Sequence, residues 1–533
     1  MALPFLEILI LLPVFGALVI GLFVPREDEG AVRGATLAVT LVNFLISLPL
    51  FFTYDTAKGG FQFGRPAMDW IEPLGASIHL GVDGLSLLLV VLTTFLMPIA
   101  VLASYRGITS KVKNFHVALL VMEAAMVGVF VARDLLLFFL FFEVMLAPMF
   151  LLIGVWGGQD RIKAALKFFI YTAVGSLLMM AAMAYVYTQA GHTFDIEKIH
   201  AAFAENPLSA STQFWLCLAF VIAFAIKVPV FPLHTWLPHA HVQAPTAGSV
   251  VLAAVMLKIG GYGFLRLCLP LFPQGVTLQP EVFLGLGDLA LPSIATTMSW
   301  LGAIGIVYGA LMALAQKDLK RLIAYSSVSH LGLVVLAIFA GLSGEAGRQW
   351  TGGVAEGALR ETLEAGHARA VTGAIFQMIA HGLSTGALFF LVGVIYDRRH
   401  TKEIAKLGGL ATSAPKLAVC FVVATLASIA LPTTAGFVGE VLILLGVFET
   451  NKLFAVIGVT GMVLGATYML WAIQRVFFGP AEGENATMED IDRVELIGVL
   501  PLLILGFVLG VAPGPFLELI EPAVQTLIQS YGG

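Results

Sequence analysis

Lys227 and Lys258 stand where a lysine is costly. Lys227 lies in FVIAFAIKVPVFPLHTWLPHA and Lys258 in SVVLAAVMLKIGGYG, both deep within apolar runs. At mid-depth in a bilayer an ammonium costs ~2.5–3.5 kcal/mol even on the gentlest insertion scale, and such residues usually serve a function. Three carboxylates, Glu123, Glu143 and Glu440, are set in similar surroundings, as are His234, His330 and His381. Carboxylate, amine and imidazole together suit proton hand-over, because imidazole titrates near neutral pH and can accept at one nitrogen while donating at the other. The competing reading is a set of static ion bridges. It is weak for Lys227 with Glu143, because fixed buried bridges stabilise a core poorly. It is stronger for Glu123. The spacing HTWLPHAH invites a metal, but no acidic or cysteine ligand lies nearby in sequence, so no metal is expected. His239 and His241 read as interfacial.

The surroundings set the context for these groups. Hydrophobic residues make up 59% of 533 positions and charged residues 12%, about half the share of a soluble chain. Mean hydropathy is +0.94. Apolar runs of about 20 residues recur from end to end, each long enough for a core of ~30 Å. In lipid such runs must be helices. A net charge of −5 gives no sign of nucleic-acid binding. Cys217, Cys268 and Cys420 are isolated core thiols, and CxxC, HExxH, P-loop and GxGxxG patterns are lacking. The chain therefore shows no obvious means of handling a nucleotide or an electron. Residues 1–24 carry no basic n-region and no small-residue cleavage site, and read as a retained span without a transit peptide.

Fourteen spans are expected: 4–24, 33–53, 83–104, 114–132, 134–155, 168–190, 213–236, 246–268, 290–314, 322–341, 371–395, 416–447, 454–477 and 495–513. The apolar stretch 281–292 is a candidate short extra piece. Polling the loops puts 18 of the 29 basic residues on one side and nine, with both termini, on the other. By the positive-inside bias the termini face away from the cytoplasm. The two basic residues left over are Lys227 and Lys258.

Two spans contain their own interruption. Pro229 and Pro232 cannot bond back to Ala225 and Val228, so span seven breaks just past Lys227. Span twelve breaks at LPTTAGFVGE, where Pro432 and Gly436 precede Glu440. Broken helices at membrane depth are tolerated where they line a cavity or are buried in protein. The breaks are about 200 residues apart, and Glu143 in span five is matched roughly by His330 in span ten. The expected architecture is an all-α polytopic membrane helix bundle with two inverted five-helix repeats, spans 4–8 and 9–13, and discontinuous helices 7 and 12. It is one membrane domain: N-terminal helices 1–110, first half-channel 114–268, second half-channel 290–477, last helix and tail 495–533.

The stretch KVPVFPLHTWLPHAHVQAPTAGSVVLAAVMLKIGGYG, with GVDGLS at 81–86, FFEVMLAPMFLLIGVWGG at 141–158, KDLKRLIAYSSVSHLG at 317–332 and MIAHGLSTGALFF at 378–390, resembles the proton-translocating, antiporter-like subunits of respiratory complex I and their Mrp-antiporter relatives. The likeness covers roughly 80–500. Glu440 in GFVGE fits the branch with a terminal glutamate, where the longest paralogue is expected to carry lysine. The sequence also closes soon after span fourteen, without that paralogue's long lateral helix. The polar segment 343–370 is longer than the family pattern suggests. The resemblance implies that Glu143 and Lys227 pair in the first half-channel and that Lys258 is the central relay. His381 would lead on to Glu440, with His234 and His330 as accessory relays. It implies neighbouring antiporter-like chains on both sides in the bilayer, and FMN, iron–sulfur clusters and quinone in partner subunits, with no cofactor in this chain. The expected setting is the bacterial cytoplasmic membrane, the alternative an organelle-encoded copy in the mitochondrial inner membrane.

Neighbouring helices are each about 10 Å across, so groups on successive helices need water threads between them. The proton on Lys227 is then held by a balance between burial and the Glu143 carboxylate. A rival reading, a subunit of an Mrp-type Na⁺/H⁺ antiporter, would use the same lysines for exchange. A structural scaffold predicts that neutral, size-matched replacements leave turnover unchanged. The expected result for Lys227→Ala or Glu143→Gln is loss of proton pumping in an assembled complex. Pumping at wild-type stoichiometry in either variant would remove the assigned role.

Overall fold

Lipid offers backbone N–H and C=O groups no partner but each other, so an apolar chain becomes helix along almost its whole length. The computed structural model describes residues 4–280, 291–351 and 357–531. The N-terminal part comprises α1 (Phe5–Phe23), α2 (Glu29–Thr53) and α3 (Leu87–Ala103). Two short antiparallel strands, Met68–Ile71 and Ala76–Ile78, precede α3. The first half continues with α4 (Val112–Val131), α5 (Leu135–Val144), α6 (Leu146–Trp156) and α7 (Arg161–Gln189). It ends with α8 (Ala210–Lys227), α9 (Trp236–Gln243) and α10 (Thr246–Leu271). The second half holds α11 (Ile294–Leu314), α12 (Leu319–Leu342), α13 (Gly357–Arg399) and α14 (Pro415–Ser428). It is completed by α15 (Ala435–Thr450), α16 (Lys452–Phe477), α17 (Arg493–Val511) and α18 (Gly514–Tyr531).

Among the described residues, twelve helices are long and apolar enough to cross a membrane. Of the fourteen expected spans, the third is a 17-residue helix and the twelfth is two pieces of 14 and 16 residues. Both expected breaks are present. The first lies between α8 and α9, and Trp236 Nε1 donates to the Ile226 carbonyl at 2.9 Å, so an end the helix cannot satisfy is satisfied by a side chain. Lys167 Nζ and the Tyr171 hydroxyl, both on α7, hold Thr235 from the other side at 2.9 and 2.8 Å. The second break lies between α14 and α15, with Ala430 and Thr433 at φ of +56° and +83°, a region L-residues rarely occupy.

Two segments differ from their expected form. The polar stretch 343–370 is largely helical: Gly344–Thr351 is a short helix, and α13 begins at Gly357 and runs 43 residues. Its extension, ALRETLEAGHARA, is rich in the best helix formers, which propagate the apolar span outward. The tail after 513 is an amphipathic helix, α18, with Leu519, Ile520, Val524 and Ile528 buried. The extra piece at 281–292 falls mostly outside the described residues.

The close approach of α10 to the break after α8 depends on one small residue. A Cβ at Gly260 would meet Val228 Cγ2 at 2.4 Å and the Phe224 carbonyl oxygen at 2.7 Å, neither able to retreat. Gly260→Val is therefore expected to destabilise by about 1–3 kcal/mol. A lower unfolding temperature of the purified assembly checks this, and an unchanged one would mean the two helices are free to separate.

Candidate functional site

Four of the sequence-selected residues, Lys258, His330, His381 and Glu440, come together from α10, α12, α13 and α15. Lys258 sits on α10 between two π-helical stretches, Leu252–Met256 and Phe264–Cys268. Such wide turns are rare and cluster at functional sites. The first of them contains Ala253, whose carbonyl accepts from Lys258 Nζ at 2.6 Å. The same nitrogen lies 2.8 Å from His381 Nδ1 on α13. Lys258 is fully buried, so these two acceptors do the work that water does for an exposed lysine.

From His381 the contacts continue. Its ring centroid is 5.8 Å from that of His330 on α12. His330 Nδ1 is 3.0 Å from Glu440 Oε1 on α15, and Gln377 Nε2 donates to the same oxygen at 3.1 Å. Gln377 precedes His381 by one helical turn, so the two lie on the same side of α13. It reaches Glu440 only because Gly439 has no side chain: a Cβ there would stand 2.6 Å from Gln377 Oε1. Lys258, His381, His330 and Glu440 thus form one line through the second half. Nδ1 of His381 faces Lys258 and Nδ1 of His330 faces Glu440, which leaves Nε2 of His381 without a protein partner; an imidazole that receives a proton at one nitrogen can give one up at the other, as a relay needs. His330, expected as an accessory, stands within the line, between His381 and Glu440.

The first half is arranged differently. Among the described residues Lys227 Nζ has no hydrogen-bond partner, and it lies 4.7 Å from the Phe142 ring centroid in a cation–π contact. Glu143, the next residue, leaves its Oε1 without a hydrogen-bond partner in the protein. The two expected partners are neighbours in electrostatic reach without a direct hydrogen bond. His234 is packed against the rings of Phe231 and Tyr308, centroids 5.8 and 5.2 Å away, with both nitrogens lacking protein partners. A buried polar atom left without a partner costs ~1–3 kcal/mol, which makes water the natural bridge here.

Glu123 stands apart. Asn43 Nδ2 on α2 donates to its Oε1 at 2.8 Å and to the Leu9 carbonyl at 3.2 Å, joining α1, α2 and α4.

Sequence reasoning missed four residues. Asn43 and Gln377 carry no charge to mark them. Lys320, counted with the loop cations, is buried in the first turn of α12 because Asp318 caps that helix through the Arg321 N–H at 2.8 Å. Its Nζ donates to the Ala244 carbonyl at 2.6 Å. His241, expected at the interface, is wholly buried and stacked on Phe389 at 4.4 Å, whereas His239 is exposed; two residues on a helix point to different faces. Both His241 nitrogens lack protein partners, and the ring lies within electrostatic reach of Lys320 and Lys258. Lys320 borders a cavity of about 130 Å³ with Gln243, Thr246, Asp397 and Lys402. Burial pushes the Lys402 ammonium below the usual lysine range, with Asp318 opposing. Among the described residues no cluster of His, Cys, Asp and Glu could hold a metal.

The sequence matches the family model described as NADH:quinone oxidoreductase/Mrp antiporter, transmembrane, over residues 132–349 and 362–465. It is 45% identical to NADH-quinone oxidoreductase subunit M of Rhodobacter capsulatus, covering 99% of this chain and 96% of the relative. It is 39% identical to NADH-ubiquinone oxidoreductase chain 4 of Arabidopsis thaliana, covering 98% and 96%. A chain of respiratory complex I from Thermus thermophilus superposes with a TM-score of 0.83 at 30% identity, covering 99% and 100%. A chain of an archaeal membrane-bound sulfane sulfur reductase shares the fold, with a TM-score of 0.79 at 24% identity and coverage of 96% and 76%.

His241→Phe keeps a ring on Phe389 and removes both nitrogens. In vesicles carrying the assembled complex, proton transport is expected to fall by about tenfold, the effect of ~1.4 kcal/mol on a limiting step. Transport at the wild-type rate would leave His241 as packing alone.

Proposed function

The chain belongs to the NADH:quinone oxidoreductase/Mrp antiporter membrane family, and on that premise we propose a route by which it moves protons. It is a proton-translocating, antiporter-like membrane subunit of NADH:quinone oxidoreductase, complex I, and sits among the other membrane subunits of that complex. The catalytic redox sites lie in those other subunits.

The route has two stages. In the first half, Lys227 holds a proton beside Glu143 and Phe142, and movement of the carboxylate biases whether the lysine keeps it. In the second, Lys258 passes a proton through His381 and His330 to Glu440. The single observation that carries this reading is the line Lys258–His381 at 2.8 Å and His330–Glu440 at 3.0 Å, with the two histidine ring centroids 5.8 Å apart between them. Placing a second proton on the line is opposed by the first, since neighbouring like charges at low dielectric repel strongly. That repulsion moves charge forward. The cavity beside Lys320 is the supply side of the same line, and His241, within electrostatic reach of both Lys320 and Lys258, links the two. His234 serves water near the break after α8, and Glu123 braces the bundle.

The chain is integral to the membrane. The similarity to bacterial subunit M chains supports a bacterial cytoplasmic membrane, and the bias of lysine and arginine among the loops supports both termini on its non-cytoplasmic side. The recurrence of a break beside an ionisable residue supports two inverted five-helix halves. Export of each proton costs ~2.3 kcal/mol per 100 mV, so the drive comes from NADH oxidation and quinone reduction in partner subunits.

Sodium exchange of the Mrp type is separable by experiment. In proteoliposomes containing the complex, NADH-driven acidification should keep its rate when sodium is replaced by choline. A requirement for sodium, with exchange persisting without NADH, would move the reading to antiport.

A further inference from the structure

On the outer flank of the first half, α1, α4 and α6 enclose an open groove of about 460 Å³ that the proton route does not use. Val121 of α4 and Ala147 and Leu151 of α6 line its length. One end is different: Arg26, in the turn after α1, and Lys113, in the first turn of α4, close it. From Lys113 to Val121 is ~12 Å along the helix, part of the depth of one leaflet. The groove is thus apolar at membrane depth and cationic at the surface.

The basic end has unused capacity. Lys113 Nζ donates to the Val24 carbonyl at 2.7 Å, which leaves two of its three N–H donors. Arg26 is exposed, with five. The acidic residues that follow it do not line the groove, and two have partners of their own: Asp28 caps α2 through Ala31 N, and Glu29 pairs with Arg33. Two cations facing one phosphate favour a headgroup that brings no cation itself. A protein partner laid over this face would have to cover both charges with matching carboxylates and fill a concave apolar slot.

We propose that this groove seats an acyl chain of an anionic phospholipid, with its phosphate held between Arg26 and Lys113. Val144, which follows Glu143, also lines the groove and is 38% exposed in the chain alone. The lipid chain covers that flank and keeps water from reaching Glu143 sideways through the bundle wall.

The test uses the intact complex, purified gently from its native membrane, with retained phospholipid counted by native mass spectrometry and headgroup analysis. Ala147→Trp fills the groove from an outward-facing position, and the complex should lose one retained lipid. Arg26→Gln, on an exposed turn, should keep the chain but lower the preference for phosphatidylglycerol over phosphatidylethanolamine by about fivefold when delipidated complex is resupplied with an equal mixture. If Ala147→Trp fails to assemble, the headgroup preference of Arg26→Gln decides alone. An unchanged lipid count in Ala147→Trp, or an unchanged preference in Arg26→Gln, overturns the proposal. So does efficient cross-linking of Ala147→Cys to a neighbouring subunit, which would make the groove a protein interface.

Discussion

Lys258 is an amine that bulk solvent does not reach, and the surrounding helices are shaped by the need to answer it. One answer is local: the π-helical turn before it presents the Ala253 carbonyl to its Nζ. The other comes from 123 residues away, where His381 reaches the same nitrogen. For that contact to exist, α13 must pass through the centre of the bundle as one unbroken helix. It does so for 43 residues, or ~65 Å, about twice the depth of the hydrocarbon core. Its apolar membrane segment is fully buried, so the helix acts as a post against which the second half is built. The break between α14 and α15 then brings Glu440 to that post, and Gly439 lets Gln377 close on it.

The two halves solve the same problem differently. In the second, ionisable groups touch or nearly touch, which suits rapid hand-over. In the first, Lys227 rests on the face of Phe142 with Glu143 near but not hydrogen-bonded. A cation held by a ring and a nearby carboxylate is easier to release than one locked in a bidentate pair, where breaking the pair costs several kcal/mol. The first half therefore has the character of a switch and the second that of a wire. The link between either and quinone chemistry is a coupling free energy carried by partner subunits.

Much of this was legible in the sequence. Charges inside apolar runs are conspicuous because lipid makes them rare, so Lys227, Lys258 and Glu440 stand out without any structure. The breaks were legible for an equally direct reason: Pro229, Pro232 and Pro432 cannot complete helical hydrogen bonds. Partners were harder. His330 and Glu440 are 110 residues apart, and Gln377 and Glu440 are 63 apart. Nothing in local spacing announces such contacts. Uncharged Gln377 and Asn43 had no signal at all. Lys320 was hidden by a different cause, since a basic residue at a span's edge looks the same in sequence whether it snorkels or turns inward.

If Lys258 carries the protons this chain moves, pumping depends on its amine. Lys258→Met removes the charge while keeping an unbranched chain of similar length. The direct measurement is protons translocated per NADH oxidised, in proteoliposomes of assembled complex with quinone present. The variant complex is expected to assemble and to move fewer protons per NADH than the wild type. An unchanged ratio at an undiminished turnover would show that protons cross by another path, and would reduce the line from Lys258 to Glu440 to a structural brace.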